Sequence, residues 1–161
     1  MNNSQITIRQ AKEKDIPAIL SLMEEFARFV NLTEYLQVTE EKLAEVMSGD
    51  DPFLKSLIAF DAETPVGYAF WYHTFASFRG QKSVYLEDIF IVDEFRQSGI
   101  GERILKEIAR IGRRSGACRM DLEVLEWNIP AVNFYKKHGA LADEHARHFK
   151  FTDEAFQKLA E

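Results

Sequence analysis

One stretch of the chain decides its fold: YLEDIFIVDEFRQSGIG, which runs from Tyr85 to Gly101. Its first part, through Val92, is a nearly continuous run of apolar, β-prone residues, which is typical of a central strand covered on both faces. Two neighbouring carboxylates, Glu87 and Asp88, interrupt that run. Because neighbours on a regular strand point to opposite faces, at least one carboxylate is expected to point into packed protein unless the sheet opens there.

A carboxylate buried without a partner either costs several kcal/mol or takes up a proton through a raised pKa. Glu87 and Asp88 therefore indicate a cleft, or a cationic partner, beside the central strand. A structural ion pair at the end of the strand is the alternative, and it explains the same two residues without a functional site.

The second part of the stretch is a basic, glycine-containing turn, Arg96 to Gly101, that leads into an amphipathic helix. Gly99 and Gly101 let a ligand approach the backbone closely, and the start of a helix offers N–H groups with a partial positive charge. Arg96 adds a cation, so the turn is interpreted as an anion site, with a packing or turn role as the alternative. Two established phosphate motifs are excluded, because Ile104 replaces the third glycine of G-x-G-x-x-G and no G-K-[ST] is found.

Composition narrows the class of protein. With 161 residues and 46% hydrophobic content, the chain is predicted to form a single α/β domain over residues 1–161. A net charge of -6 and a pI near 5.3 argue against nucleic-acid binding and fit a cationic substrate. The single cysteine, Cys118, excludes an intrachain disulfide, and neither a signal peptide nor a membrane-spanning run is recognisable. A cytoplasmic protein is therefore predicted.

Hydrophobic periodicity predicts alternating helices and strands. Helices are predicted from an Asp15 N-cap to about Phe29, after a Thr39 cap, from Ile100 to the region Gly112 to Gly116, from Pro130 to His138, and from Asp153. Strands are predicted at Ile6 to Ile8, Lys55 to Phe60, Val66 to His73, Val84 to Val92, Ala117 to Leu125 and His145 to Phe151, with a loop from Phe75 to Lys82. Because no carboxylate or cysteine cluster has metal-ligand spacing, no metal site is predicted.

Motifs in two parts of the chain resemble one family. R-x-x-G-x-G, Arg96 to Gly101, follows an apolar strand, and NIPAVNFYKKHG runs from Asn128 to Gly139. In this order they resemble the acyl-CoA pyrophosphate loop and the second motif of the GNAT superfamily of N-acetyltransferases. Three shorter segments are similar to its spermidine/spermine and thialysine N-acetyltransferase branch: YLED at Tyr85, EWN at Glu126 and NFYK at Asn133.

The resemblance implies an α/β (α+β) fold with a mixed central sheet, splayed open at the acyl-CoA site and flanked by helices. It also implies that acetyl-CoA is the cosubstrate and that its pantetheine pairs with backbone in the gap, which would explain the two carboxylates. The residues implied to contact the cofactor are Ile89, Phe90 and Ile91 through the main chain, Arg96, Gln97, Ser98, Gly99, Ile100, Gly101 and Glu102 around the pyrophosphate, and Asn128 and Ala131 from the other arm of the splay.

The resemblance further implies roles in catalysis. A primary amine with a pKa near 10.4 is almost entirely protonated at pH 7, so a base that removes its proton raises the rate. Glu87, directly or through a water, is the candidate base and Asp88 the candidate group that holds the cationic substrate, although the two roles are exchangeable. Tyr135 matches the family's general acid, which would protonate the leaving CoA thiolate, and a strand N–H near Ile89 would stabilise the oxyanion.

The amine side of the chain departs from the polyamine branch. Phe29-Val30-Asn31 replaces an aromatic followed by an acidic residue, and Glu144-His145-Ala146 replaces Glu-Gly-Trp. Fewer charges and aromatic faces weaken the binding of a long polycation, so a polyamine, a diamine and a lysine-like amino acid all stay open as substrates.

Two alternatives to this enzyme stay open as well. One is an acyl-CoA-binding regulatory module without turnover, and the other is a GNAT enzyme that acts on a peptide or aminoglycoside amine. Glu87 and Tyr135 favour the enzyme over the module, because both residue types needed for proton transfer are kept. The resemblance also implies a homodimer, and neither a nucleic acid nor a membrane is expected as a partner.

Overall fold

The computed structural model describes residues 5–161. These residues form five strands and five α-helices. The strands are β1 (Ile6–Gln10), β2 (Lys55–Asp61), β3 (Thr64–Ala76), β4 (Gln81–Ile91) and β5 (Ala117–Leu122). The helices are α1 (Ile16–Phe29), α2 (Glu40–Met47), α3 (Ile100–Arg114), α4 (Ile129–Lys137) and α5 (Asp153–Leu159).

The sheet is mixed and open. Its strands lie side by side in the order β1-β2-β3-β4-β5. The first three pairings are antiparallel, and β4 pairs with β5 in parallel. A parallel pair needs a crossover connection, which α3 provides. The prediction of a mixed sheet with flanking helices is therefore confirmed.

The predicted starts of α1 and α2 are confirmed, with one difference in capping. Thr39 accepts a hydrogen bond from the N–H of Lys42 at 3.3 Å and caps α2 as predicted. Asp15 precedes α1, but its carboxylate accepts hydrogen bonds from the Arg9 guanidinium at 2.7 and 2.8 Å and from the N–H of Lys12 at 2.8 Å. Asp15 thus ties the end of β1 to the start of α1 instead of capping the helix.

One face of the sheet packs against α1 and α2. Tyr68 and Phe70 lie two residues apart on β3, so their side chains share this face, and their rings meet edge to face at 4.9 Å. Burial of such large apolar side chains is the main source of stability in a domain of this size. The buried cluster on this face consists of Ile16, Ile19, Leu22, Leu43, Ile58, Tyr68, Phe70 and Phe90.

Helix α3 covers the opposite face. An added Cβ on Gly112 of α3 would lie 2.7 Å from Cγ2 of Val84, so the helix backbone packs directly on β4. Val84 pairs with His73, which is an odd number of residues from Tyr68 on β3 and therefore points away from the α1 side. Both faces of the central strands are covered, as the apolar run in β4 predicted.

Three strand predictions need correction. Strand β5 ends at Leu122 instead of Leu125, because its pairing with β4 ends there. Half of the predicted loop from Phe75 to Lys82 belongs to β3 and β4, which form a long hairpin connected by residues 77–80. The predicted strand from His145 to Phe151 is wrong: these residues are exposed, and no strand within residues 5–161 pairs with them to complete a ladder.

The chain separates into two compact units, one that ends at Glu123 and one formed by Val124–Glu161. The first unit contains the sheet and helices α1 to α3, and the second contains α4 and α5. A single domain over residues 1–161 stays a prediction. No helix in the described part of the chain is long and apolar enough to cross a membrane.

Candidate active site

Strand β4 carries one extra residue at Glu87. In its pairing with β3, Asp88 lies opposite Phe70 and Leu86 lies opposite Trp71, so Glu87 has no partner position in the ladder. This arrangement is a β-bulge, in which two residues of one strand face a single position of the other. A bulge shifts the alternation of faces along the strand, so the faces of the two carboxylates cannot be inferred from regular strand geometry.

The bulge brings both carboxylates to the same face of the sheet. The Tyr68 hydroxyl donates to Oδ2 of Asp88 at 3.2 Å, and the Tyr72 hydroxyl donates to Oε2 of Glu87 at 3.2 Å. Tyr68 and Tyr72 lie four residues apart on β3 and share the face that α1 covers. The regular alternation that would send the two carboxylates to opposite faces therefore does not hold at the bulge. Each carboxylate is held by a neutral hydroxyl, so the pair keeps its attraction for a cation.

The two carboxylates differ in burial. Asp88 is partly buried, and its partner Tyr68 lies completely buried in the core. Burial, and after it the charge of Glu87, raises the pKa of Asp88 to about 6, against the lowering effect of the Tyr68 hydrogen bond. Glu87 is exposed. One member of the pair thus faces solvent, and the other changes its protonation close to neutral pH.

A third tyrosine and a third carboxylate lie on this face. Tyr85 pairs with Tyr72 in the ladder, and their ring centroids are 5.4 Å apart. The Tyr85 hydroxyl donates to Glu123, and burial, together with this bond, raises the pKa of Tyr85. Glu123 directly follows the last residue of β5 and is exposed.

Sequence reasoning missed these four partners, Tyr68, Tyr72, Tyr85 and Glu123. The spacing of Tyr68 and Tyr72 already places both on one face of a strand. Their pairing with carboxylates depends on the register between neighbouring strands, which no local pattern contains.

The edge of β4 opens beside the carboxylates. Pairing with β5 ends at Leu86 and Leu122, whereas β4 continues to Ile91. The main chain from Ile89 to Ile91 pairs with β3 on one side. On the other side, no strand in the described chain pairs with it. The sheet is therefore splayed where the resemblance to acyl-CoA enzymes implied.

The turn between β4 and α3 has a backbone suited to an anion. Gly99 precedes α3 with a φ of 83°, and the space around its Cβ position is open. Gln97 also adopts a left-handed conformation, with a φ of 61°. The amides from Ile100 to Glu102 lie in the first turn of α3 and have no carbonyl partner within the helix. A ligand can therefore approach several N–H groups at once.

Arg96 is bound to neighbouring parts of the protein. Its guanidinium lies 4.2 Å from the centre of the Phe29 ring, and its Nε donates to the carbonyl of Ile91 at 3.0 Å. It also forms an ion pair with Asp93 at 3.1 Å. Arg96 thereby fixes the end of β4 to α1, beside a cleft of about 530 Å³ lined by Glu25, Arg28, Phe29, Phe90, Asp93 and Arg96.

The side chains of Ser98, Ile100 and Glu102, in the turn and the first residues of α3, also have partners or are buried. The Ser98 hydroxyl donates to the carbonyl of Phe95, and Glu102 forms an ion pair with Lys106 one helical turn later. The side chain of Ile100 is buried. The main chain is therefore the part of these residues that a ligand in the turn can reach.

The second unit contains the remaining predicted site residues on α4. Asn128 precedes the helix, and its Oδ1 accepts a hydrogen bond from the N–H of Ala131 at 3.3 Å, so Asn128 is a helix cap. Tyr135 is buried, with 9% of its surface exposed, and its ring meets Phe134 edge to face at 5.2 Å. Their roles toward a cosubstrate stay predictions.

Residues 16–140 match the model of the Acetyltransferase (GNAT) family. The chain belongs to the GNAT acetyltransferase family. The matched range includes both the bulged strand and the glycine turn that follows it. The predicted family is thus confirmed, and the protein is an N-acetyltransferase.

Individual relatives agree with this assignment. Thialysine N-epsilon-acetyltransferase of Bos taurus is 35% identical over 96% of this chain and 97% of its own length. Spermidine/spermine N(1)-acetyltransferase-like protein 1 of Homo sapiens is 33% identical over 95% of this chain and 23% of its own length. Among solved structures, an integron cassette protein of V. cholerae superposes with a TM-score of 0.80 at 22% identity, over 97% of this chain and 98% of its own, and shares the fold.

GNAT enzymes use acetyl-CoA as their cosubstrate, and the first unit fits such a molecule in two respects. From Glu87 to Ile91, the outer edge of β4 is paired with no strand of the described chain, so its backbone groups on that side take no part in a β-ladder. The glycine turn presents the start of α3 without a side chain at Gly99 to block it. When bound, acetyl-CoA supplies the activated acetyl group.

The buried carboxylate generates a prediction about stability and pH. The pKa of Asp88 is about 6 in the folded protein and near 3.8 in an unfolded chain, so folding favours its protonated form. This contribution to stability is complete below about pH 4 and is lost as the pH rises to about 6. Asp88→Asn keeps an acceptor for Tyr68 and removes the charge. The free energy of unfolding of the variant minus that of wild type is expected to increase by on the order of 1–3 kcal/mol when the pH is raised from 4.5 to 7.5.

Urea unfolding of both proteins at the two pH values measures this difference. Asp50→Asn, at an exposed residue before β2, controls for the loss of one negative charge. An Asp88→Asn effect of equal size at pH 4.5 and 7.5 contradicts the prediction.

Proposed function

We propose that the protein transfers the acetyl group of acetyl-CoA directly, in a ternary complex, to a primary amine of a small cationic substrate. A polyamine, a diamine and a lysine-like amino acid are the candidate substrates. The observation that carries this proposal is the placement of Glu87 and Asp88 on one face, beside the open edge of β4. Two carboxylates with hydroxyl partners attract an ammonium group. The net charge of -6 supports the approach of a cation.

The names of two relatives support the same class of substrate, because both refer to amines: thialysine in one and spermidine or spermine in the other. We further propose that the enzyme works in the cytoplasm. The single cysteine, Cys118, supports this location because it permits no disulfide within the chain.

In this proposal Glu87 is the base and Asp88 holds the ammonium group. Glu87 is the exposed member of the pair, so an incoming amine can reach it directly or through a water. The buried hydroxyl of Tyr68 donates to the Asp88 carboxylate and holds it in place. A fixed carboxylate suits an electrostatic contact with the ammonium group of the substrate. An ammonium bound beside Asp88 favours the charged form of that carboxylate and lowers its pKa from the raised value.

The cosubstrate is proposed to contact mainly the backbone of the first unit. The main chain from Ile89 to Ile91 would pair with pantetheine, and the N–H groups from Gln97 to Glu102 would hold the pyrophosphate. The bond from Arg96 to the Ile91 carbonyl gives Arg96 a positioning role for the turn. Asn128 and Ala131 are proposed as cofactor contacts from the motif that they share with the family.

Tyr135 is proposed as the general acid that protonates the departing thiolate. Support comes from its position in NFYK, the segment similar to the thialysine and spermidine/spermine branch. A tyrosine hydroxyl can act as such an acid because it is protonated at neutral pH and therefore has a proton to give to the departing thiolate.

The proposed activity is tested by following the release of free thiol from acetyl-CoA. We expect turnover with at least one member of a panel of polyamines, diamines and lysine-like amino acids, and slower turnover with aminoglycosides and peptides. Heat-denatured protein and reactions without amine are the controls. Binding of CoA in calorimetry without turnover of any amine would instead identify the protein as a regulatory module.

The two proposed catalytic groups are tested by Tyr135→Phe and Glu87→Gln. Because each side chain would act in proton transfer, each change is expected to lower kcat by about 100-fold or more. The KM for acetyl-CoA should change much less. Tyr35→Phe, at a tyrosine that is 68% exposed, and Glu63→Gln, at an exposed turn residue, are matched controls. An unchanged kcat removes the substituted residue from its role.

We also propose a homodimer, as the family resemblance implies. The second unit presents large apolar side chains to solvent, which single globular units usually cover. Phe149 is 81% exposed and Phe151 is 64% exposed, in the segment that was predicted to be a strand but has no strand partner in the described chain. Further exposed apolar residues of this unit are Leu141, Phe156 and Leu159.

Light scattering during gel filtration measures the oligomeric state. The expected mass is twice the 18.6 kDa of one chain. The double variant Phe149→Ser and Phe151→Ser should shift the protein toward the monomer, whereas Phe78→Ser, at a fully exposed phenylalanine after β3, should not. A wild-type protein that runs as a monomer at micromolar concentration contradicts the dimer.

A further inference from the structure

The face of the sheet that carries Asp88 continues into the cleft at the end of α1. Asp88 pairs with Phe70, and Phe90 pairs with Tyr68, so the side chains of Asp88 and Phe90 share one face. Two residues of strand separate them by roughly 7 Å. Phe90 also lines the cleft. A substrate whose reacting amine lies at Asp88 can therefore extend over Phe90 into the cleft.

Helix α1 brings two opposite charges to this cleft. Glu25 and Arg28 are three residues apart, so their side chains are neighbours on one face of the helix, and both line the cleft. Within residues 5–161, neither side chain forms an ion pair or a hydrogen bond, with the other or with any third residue. A guanidinium and a carboxylate in the cleft wall are thus available to a ligand.

The second cation of the cleft, Arg96, is already engaged. It pairs with Asp93, donates to the carbonyl of Ile91 and lies over the ring of Phe29. Arg28 is exposed, and its donors are not used within the described part of the chain. A guanidinium offers a planar fork of N–H groups that matches a carboxylate. The cleft therefore presents a binding group for an anion beside an unpaired carboxylate.

A cation in the last turn of a helix also has a structural explanation. Arg28 is the last residue but one of α1, where a positive charge interacts favourably with the helix dipole. That interaction stabilises the helix and has the same effect on every substrate. A change in substrate preference on substitution of Arg28 therefore separates a binding role from a structural one.

We propose that Arg28 is a specificity-determining residue, whose guanidinium binds a carboxylate of the amine substrate and disfavours substrates that carry only ammonium groups. The inference rests on the proposed function, because Asp88 is taken to hold the amine that reacts. Among the candidate substrates it selects those that carry an anionic group, the amino acids with a side-chain amine, over free diamines and polyamines. Glu25 then lies beside the α-ammonium group, and Arg28 takes no part in proton transfer.

Two amines that differ only in a carboxylate test this inference. Acetylation of L-lysine and of 1,5-diaminopentane is compared in wild type and in Arg28→Gln. Wild type should have the higher kcat/KM for lysine. The variant should lose about two- to fivefold in kcat/KM for lysine, through KM, as expected for an exposed charge pair. Its kcat/KM for 1,5-diaminopentane should stay the same or rise, because a positive charge near the second ammonium group has been removed.

Two further variants are matched to Arg28→Gln. Arg28→Lys keeps the positive charge and should retain part of the preference for lysine, although it lacks the planar fork. Arg79→Gln, at an exposed residue between β3 and β4, controls for the loss of one positive charge and should leave both amines unaffected. Urea unfolding of Arg28→Gln measures the contribution of Arg28 to stability separately.

The inference and the proposed function fail in different ways. Equal use of the two amines by wild type, or an equal loss for both in Arg28→Gln, overturns the inference and leaves the proposed function intact. Turnover confined to amines without an anionic group overturns it as well. Absence of turnover with both amines, and with the wider panel, overturns the proposed function itself.

Discussion

A single extra residue in β4 determines the chemistry of this face of the sheet. A regular β4 would send Glu87 and Asp88 to opposite sides, one toward α1 and the other toward α3. The bulge makes both point toward Tyr68 and Tyr72, and each carboxylate gains a hydroxyl partner there. The desolvation of Asp88 is tolerated because Tyr68 donates to it and because the group takes up a proton near pH 6.

The sheet opens directly beside this bulge. The β5 strand pairs with β4 only as far as Leu86, immediately before the bulge. Beyond this point the edge of β4 has no strand of the described chain beside it, yet the strand stays straight enough to pair with β3 up to Ile91. Arg96 completes the arrangement, since it binds the Ile91 carbonyl and stacks on Phe29 of α1. The carboxylates, the open edge and the glycine turn are thus held by one continuous segment.

Local signals in the sequence were sufficient to predict the family and most of the helices and strands. The Thr39 cap, the glycine at the start of α3 and the apolar run of β4 each act over a few residues, and each was predicted correctly. The faces of Glu87 and Asp88 were not predictable, because the bulge exists only in the register between two strands. Alternation from His145 to Phe151 suggested a strand, but a strand forms only where a partner completes its hydrogen bonds.

The exposed apolar side chains of the second unit also affect how the protein behaves at high concentration. Where a second copy of the chain does not cover them, Phe149, Phe151 and Leu141 offer apolar contacts between molecules, which the net charge of -6 opposes at pH 7 through mutual repulsion. That repulsion disappears near the pI of 5.3 and is screened by salt. Colloidal stability is therefore lowest near pH 5.3, and at higher pH it falls as the salt concentration rises, so purification is best carried out well above pH 5.3 at low ionic strength.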